Sequence, residues 1–248
     1  MSARLALALL ALAVAAPAGA ADERQAARDT EFDGLRLVDS GGRQGVVFGY
    51  VEQDTRPSEG IYVCGAMRRD EAAAAASTVA GALSNLPDAA LARVRLRYVV
   101  VCNGVTEASK SIGGIPVAPL NLLVLDGSGD AASLQHRTLH ELYHLLEYRF
   151  GGMGDADWSA QFGGGYSNQY PGLLRKTPLG SGKRGFVTAY GETYAHEDRA
   201  ELFTYLILAP RDVADLIGRT GDDVLRRKAG FLSDKCQRTI GLAIAAPR

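Results

Sequence analysis

Residues 121–150 read NLLVLDGSGDAASLQHRTLHELYHLLEYRF, and this stretch decides the fold. Its first six residues form a short apolar run that predicts a buried strand. GSGD, at 127–130, has the composition of a turn. The residues from 131 onward have the spacing of a long amphipathic helix, which Gly151 and Gly152 end. Leucines make up the apolar face of that helix: Leu134, Leu139, Leu142, Leu145 and Leu146. The sequence therefore predicts a strand, a tight turn and a core helix in direct succession.

The predicted helix carries the motif H-E-x-x-H at residues 140–144. His140 and His144 are four residues apart, so their directions on a helix differ by only about 40° and both imidazoles face one point. Neutral imidazole is a preferred ligand of zinc. Glu141 points about 100° away from His140, beside such a metal, where a carboxylate can accept a proton from water. The motif therefore predicts a Zn²⁺ site with Glu141 as general base, against the alternative of an exposed helix with two incidental histidines.

His136 lies one helical turn before the motif on nearly the same face. Three ligands at i, i+4 and i+8 would spread along about 12 Å of helix, which is too far for one tetrahedral ion. His136 is therefore interpreted either as a neighbour that supports the site or as an ordinary surface residue. The longer motif with a third histidine after His144 is absent, so the third metal ligand must come from another element.

The best source of that ligand is YGETYAHEDRAELF, residues 190–203, which has the pattern of the start of another helix. Glu197 and Glu201 are four apart and share a face. One carboxylate can therefore bind the metal while the other accepts the free ring N–H of a histidine ligand. This pattern alone does not decide which carboxylate binds the metal and which supports it; Glu197 is the best candidate for the ligand. His196 is the main rival for the ligand position, Glu192 is another, and a solvated acidic helix start would supply no ligand at all.

The remaining segments predict an α+β fold with a small mixed sheet and C-terminal helices. The predicted strands lie at 35–38, 45–50, 61–64 and 94–102, with a turn at Ser40-Gly41-Gly42 between the first two. The other predicted helices lie at 70–86, 196–208, 211–218 and 222–237. The polar residues 21–34 and the glycine-rich residues 151–189 are expected to be irregular. No repeat or linker divides the chain, so residues 21–248 are expected to form one domain.

The first 20 residues have the pattern of a signal peptide. Arg4 supplies a positive start, residues 5–16 are a run of Leu, Ala and Val, and Ala18-Gly19-Ala20 offers the small residues at which signal peptidase cleaves. The run is short for a membrane span, so an uncleaved membrane anchor is the weaker alternative. The sequence therefore predicts a secreted or periplasmic protein.

The composition is that of an ordinary globular protein, with 47% hydrophobic and 22% charged residues and a formal net charge of −1. No basic stripe indicates a nucleic acid partner, and no second apolar run indicates a membrane span after signal cleavage. In an oxidising compartment, the three cysteines suggest one disulfide and one free thiol. Cys64 and Cys102 end the two strands of a predicted strand–helix–strand unit, so they are the expected pair and Cys236 the free thiol.

The two motif blocks, residues 136–150 and 186–208, resemble a known family. H-E-x-x-H, then Tyr-Gly, a glutamate seven residues after that tyrosine and Ala-Glu-x-Phe are similar to the gluzincin peptidases that include the catalytic domain of anthrax lethal factor. The GFVT leading into the second block is also similar. The resemblance implies a zincin-like metallopeptidase fold, Glu197 as third zinc ligand, Tyr190 as an aid to the transition state and Glu201 as a supporting carboxylate. The glycine-rich segment between the blocks departs from the family, so the substrate does not follow from the resemblance.

The expected function is hydrolysis of peptide or protein substrates by a zinc peptidase. Glu141 would take a proton from water and pass it to the leaving amine, and Tyr190 would donate a hydrogen bond to the oxyanion. The strand at 121–126 is expected to pair with an extended peptide. Two alternatives stay open: a catalytically idle zinc-binding domain used for partner recognition, and a zinc amidase that acts on a non-peptide or cell-wall amide.

Overall fold

The computed structural model describes residues 20–40, 45–57, 61–152, 155–169 and 178–247. The strands are β1 (Leu35–Val38), β2 (Val47–Val51), β3 (Tyr62–Cys64), β4 (Tyr98–Cys102), β5 (Val105–Glu107), β6 (Lys110–Ile112), β7 (Gly114–Val117) and β8 (Leu122–Asp126). The α-helices are α1 (Ala20–Thr30), α2 (Arg69–Leu83), α3 (Asp88–Val94), α4 (Ala131–Arg149), α5 (Asp155–Phe162), α6 (Ala195–Leu208), α7 (Pro210–Thr220) and α8 (Asp223–Ile240). The predicted signal peptide, apart from Ala20, and the two glycines of the predicted turn at 41–42 lie outside the described residues.

The central sheet is mixed and has the strand order β1-β2-β4-β8-β7. Strands β2, β4 and β8 run parallel, while β1 and β7 pair antiparallel at the two edges. β4 and β8 are buried along their whole length, as their continuous runs of valine and leucine require. The predicted α+β fold, with a mixed sheet, a helix that carries both histidines of the motif and C-terminal helices, is confirmed.

The strand predicted at 121–126 does not lie at an edge, so its predicted pairing with a peptide is wrong. β8 has β4 on one side and β7 on the other. Residues 114–117 fold back on β8 through a 3-10 turn at Ala118–Leu120 and through Asn121, whose φ of 54° is left-handed. Pro116 is tolerated in β7 because an edge strand leaves one side without a ladder partner. Among the described residues, the edge beside α4 is therefore β7.

A disulfide joins a second, smaller sheet to the first. The strands β3, β5 and β6 form an antiparallel sheet in the order β3-β5-β6. Cys64 in β3 and Cys102 in β4 are bonded, with Cα atoms 5.2 Å apart. The predicted pairing is confirmed, although β3 and β4 are not neighbours. Cys64 lies opposite Val105, which follows β4 closely in the chain, and this brings the sulfurs together. Cys236 is free and buried.

Helix α4 lies at the centre of the fold, packed against α2, α6, β7 and β8. The side chain of Asp130 caps its first turn by accepting from the Ser133 N–H at 2.8 Å. Four of its five predicted core leucines are fully buried. Two predictions of irregular structure are wrong, because α1 covers residues 21–30 of the first segment and α5 lies within 151–189. On α5, Trp158 is fully buried against Phe231 of α8, a contact that local sequence does not indicate. None of the helices in the described ranges is both long and apolar enough to cross a membrane.

Candidate metal centre

Helices α4 and α6 pack against each other and bring three side chains to one point. His140 and His144 lie one turn apart on α4, and Glu197 lies in the first turn of α6. The Nε2 atoms of the two histidines are 3.1 Å apart. Glu197 Oε2 lies 2.9 Å from His140 Nε2 and 3.3 Å from His144 Nε2. His140 and Glu197 are buried, His144 is half-buried, and the three form a group that can hold a metal ion.

The spacing of these three atoms fits a zinc ion. Zinc binds imidazole nitrogen and carboxylate oxygen at about 2.0–2.2 Å, so neighbouring ligand atoms of a tetrahedral site lie about 3.3 Å apart. The observed separations of 2.9, 3.1 and 3.3 Å are close to that value. Two histidines and one glutamate are also an established donor set of catalytic zinc sites, which keep a fourth position for water or substrate. Donor set and distances therefore fit a site that could hold a zinc ion.

Glu201, one turn beyond Glu197 on α6, contacts the opposite side of the His140 ring. His140 Nδ1 donates to Glu201 Oε1 over 3.0 Å, since a carboxylate only accepts. This bond orients the ring so that Nε2 faces the other two ligand atoms. Glu201 Oε2 accepts from the Thr188 hydroxyl at 2.8 Å, and that hydroxyl accepts from the Gly191 N–H at 3.1 Å. Glu201 is thus held at both oxygens, and it lies where a supporting carboxylate was expected.

The electrostatics of the group favour positive charge at its centre. Burial alone would lower the pKa of His140, but hydrogen bonds with Glu197 and Glu201 outweigh burial, and this pKa lies well above its ordinary value. Burial acts in the same direction on His144, yet contacts with Glu147 and Glu197 raise its pKa to about 9. Burial would raise the pKa of Glu197, but the histidines around it hold that pKa well below its ordinary value. The protein therefore stabilises a proton, or a metal cation in its place, where the ring nitrogens meet the carboxylate.

All four histidines of the chain lie at this site. His136 is half-buried, with Nε2 3.3 Å from Glu201 Oε1 and its ring edge-on to Tyr205. The side chain of His196 is 43% exposed, and its Nε2 lies 3.3 Å from Glu197 Oε1, the oxygen that does not face the other two ligands. His136 is thus a neighbour of the supporting carboxylate, and His196 borders the group of three without being one of its members.

Two other residues of the second motif block lie at different distances from the group. Tyr190 is half-buried, and its ring centre lies 5.7 Å from that of His140. Glu192 is directed elsewhere, because its Oε1 accepts from the Lys183 N–H at 2.6 Å and its Oε2 lies 3.2 Å from Lys183 Nζ. The structure therefore keeps Tyr190 beside the three ligand candidates and separates Glu192 from them.

Glu141 is buried on the side of α4 that meets β7. Its side chain lies against Gly114, since a β-carbon built at that glycine would come within 2.9 Å of Glu141 Cγ. Burial raises the pKa of the Glu141 carboxyl above its ordinary value. A raised pKa makes a carboxylate a better proton acceptor near neutral pH. The carboxyl therefore has an environment suited to proton transfer, outside the group that can hold the metal.

Glu147 and Arg199 complete the surroundings of His144, and sequence reasoning missed both. Glu147 Oε2 lies 3.5 Å from His144 Nδ1, and Glu147 Oε1 accepts from Arg199 Nε at 2.5 Å. Arg199 Nη1 in turn lies 2.9 Å from a carboxylate oxygen of Asp155 on α5. Part of the signal was available, because Glu147 follows His144 by three residues and so shares its side of the helix.

A second buried ion pair anchors the segment that leads to the site. Lys228 of α8 is buried, and its Nζ donates to Asp198 Oδ2 at 2.6 Å and to the Gly185 carbonyl at 2.7 Å. Lys228 Nζ also lies over the ring of Phe186, 3.9 Å from the ring centre. Gly185 and Phe186 come shortly before Thr188 in the chain. The ion pair therefore helps to place the Thr188 hydroxyl.

Comparison with known proteins identifies no relative of this chain. No protein-family model, no curated protein and no solved structure matches it. The likeness to the gluzincin peptidases is therefore limited to the motif residues in the sequence.

Proposed function

We propose that this protein is a zinc-dependent peptidase with His140, His144 and Glu197 as its metal ligands. The observation that carries the proposal is the approach of two imidazole nitrogens and one carboxylate oxygen to within 3.3 Å of one another. These atoms come from the residues that the H-E-x-x-H spacing and the second motif block single out. When bound there, zinc supplies a Lewis acid that polarises a carbonyl group and lowers the pKa of water.

Glu141 is the general base of the proposed reaction. It is buried next to the ligands on the same helix, and burial raises its pKa, which makes it a stronger proton acceptor than an ordinary carboxylate. It takes one proton from the water that attacks the peptide carbonyl and gives that proton to the leaving amine. Tyr190 lies beside His140 and donates a hydrogen bond to the carbonyl oxygen as negative charge develops on it. The two residues thus handle the proton and the charge of one addition–elimination sequence.

An extended peptide is the substrate class that β7 supports. β7 is an edge strand, and an edge strand offers backbone groups that can pair with an added strand. It is half-buried along its length, and Gly114 at its start touches Glu141. A peptide paired with β7 would therefore pass close to the general base. A small amide without an extended backbone would make no use of this strand, so a peptide is favoured over a non-peptide amide.

The proposed location is outside the cytoplasm. The Cys64–Cys102 disulfide is typical of an oxidising compartment. The predicted signal peptide at residues 1–20 is consistent with the same compartment. We therefore propose that residues 21–248 act as one secreted or periplasmic domain.

The proposal is tested on purified protein that lacks residues 1–20. Its metal content is measured first, and a peptide library is then digested before chelation, after chelation with 1,10-phenanthroline and after return of zinc. We expect one zinc per chain, cleavage of peptides, loss of cleavage on chelation and recovery with zinc. Zinc-free protein from a metal-replete preparation would contradict the metal site. Zinc with cleavage of cell-wall amides only would indicate an amidase, and zinc without any hydrolysis would indicate a binding domain.

A further inference from the structure

We propose that Glu147 positions the second histidine ligand, His144, and that Arg199 holds Glu147 in place for that role. The inference rests on the proposed function, because it concerns how the protein prepares a ligand for the metal. Neither residue lies in the group of three that can hold the ion. Their effect on the metal is therefore expected to pass through the ring of His144.

The two histidines have corresponding surroundings. Each Nε2 faces Glu197, and each Nδ1 faces a further carboxylate. For His140 that carboxylate is Glu201, at 3.0 Å, and for His144 it is Glu147, at 3.5 Å. A carboxylate that accepts the Nδ1 proton leaves the Nε2 lone pair for the metal and makes the ring more basic. Glu147 thus occupies for His144 the place that Glu201 occupies for His140.

The burial of this ion pair is poorly explained by stability alone. Glu147 is 8% exposed and Arg199 is 2% exposed, so both charges are largely removed from water. Desolvation of such a pair offsets most of its attraction, and apolar residues of similar volume often stabilise a protein as well or better. Apolar residues could not accept the Nδ1 proton of His144. The contact with the histidine therefore gives the buried charges a function that packing does not.

Arg199 determines which oxygen of Glu147 is left for the histidine. Its Nε donates to Oε1 at 2.5 Å, while Oε2 is the oxygen that faces His144. On its other side, the guanidinium lies 2.9 Å from Asp155 and 5.7 Å from the Trp158 ring centre. These contacts with α5 hold the guanidinium in place. Because Arg199 lies on α6, that helix acts on His140 through Glu201 and on His144 through Arg199 and Glu147.

The inference is tested by zinc affinity and by the absorption spectrum of the cobalt(II) form, neither of which requires turnover. Glu147→Gln keeps the size of the side chain and removes its charge. Arg199→Lys keeps a positive charge and removes the planar fork. We expect Glu147→Gln to weaken zinc binding by about 10- to 100-fold, measured by competition with a chromogenic chelator, and to change the cobalt spectrum. Arg199→Lys should have a smaller effect of the same kind, and it should add little to Glu147→Gln, because both act through one contact.

Val100→Ala is the matched control for a general loss of stability. Val100 is buried in the apolar cluster on the other side of the sheet from α4. The Val100→Ala variant should have a lower Tm than the parent protein, with unchanged zinc affinity and an unchanged cobalt spectrum.

Zinc affinity of Glu147→Gln within about twofold of the parent would overturn the inference and leave the peptidase proposal standing. If Glu147→Gln does not fold, Arg199→Lys decides, and an unchanged zinc affinity and cobalt spectrum there would equally overturn the inference. A parent protein that binds no zinc would overturn both proposals.

Discussion

Two neighbours of α4 shape the candidate site in different ways. Helix α6 meets α4 with charged side chains, namely Glu197, Arg199 and Glu201, which contact the histidines or the carboxylate behind one of them. Strand β7 contributes steric fit and no charge, because Gly114 has no side chain and so leaves room for Glu141. Under the proposed function, metal binding and proton transfer would therefore have separate structural supports. Substitutions on the α6 side should therefore lower the zinc content. Substitutions on the β7 side should lower kcat and leave the zinc content unchanged.

The largest effect on turnover at full metal content is expected for Glu141→Gln. The amide fills the same space but cannot accept a proton, so kcat should fall by about 10²- to 10⁴-fold. Bound zinc should stay at the parent level, because Glu141 lies outside the ligand group. Steady-state kinetics on a cleaved library peptide, with metal analysis of the same sample, measure both quantities. A variant that turns over at the parent rate would refute the assigned role.

Tyr190→Phe should cause the next largest fall in kcat. It tests whether a residue on the α6 side can affect turnover without affecting metal binding. Tyr190 precedes α6 and its ring lies beside that of His140, but its proposed partner is the substrate oxygen. Removing one donor to a developing oxyanion lowers kcat by about 10²-fold or somewhat more. KM and zinc content should change little. If zinc is lost instead, Tyr190 belongs to the support of the metal and not to the chemistry.

Gly114→Ala tests the β7 side with a smaller expected effect. The added β-carbon would come within 2.9 Å of Glu141 Cγ and of the Val124 carbonyl oxygen, so the carboxylate has to move. We expect kcat to fall on the order of tenfold, since small displacements of a catalytic group are costly, with zinc content unchanged.

Gly230→Ala in α8 is the matched control for that substitution. A β-carbon there meets no atom within 4 Å, so activity should remain at the parent level and stability should rise by roughly 1 kcal/mol. A loss of zinc in Gly114→Ala would break the proposed separation between the two supports.

The α6 side was more predictable from sequence than the β7 side. His140 and His144 are four residues apart on one helix, so their convergence follows from local geometry. Glu197 and Glu201 share a face for the same reason, and their motif context indicated which helix meets α4. The residues of β7 lack a strand's length and alternation, and they form a strand only because Asn121 turns them back onto β8. That pairing depends on the turn at residues 118–121, which the sequence analysis did not predict, and so the contact with Glu141 was not predicted either.

Buried charge was the other feature that sequence reasoning missed. Arg199, Lys228 and Asp198 are in polar stretches that, taken alone, indicate exposed surface. In the fold they are buried, and each ion pair joins α6 to another helix. Because the partners are distant in sequence, only the packing of the helices shows that these charges are paired. Thr188 belongs to the GFVT stretch noted in the sequence, but its role was not predicted, because that role depends on contact with Glu201.

The zinc content of two variants of neighbouring residues, Glu197→Ala and His196→Ala, tests the central claim most directly. Both proteins are checked for folding by circular dichroism and are then analysed for bound zinc after identical dialysis. Glu197 Oε2 faces His140 and His144, whereas His196 only approaches the other oxygen of Glu197. The account predicts that Glu197→Ala loses most of its zinc and that His196→Ala keeps the parent amount. If His196→Ala loses the metal while Glu197→Ala retains it, the site is a three-histidine one and the account is contradicted.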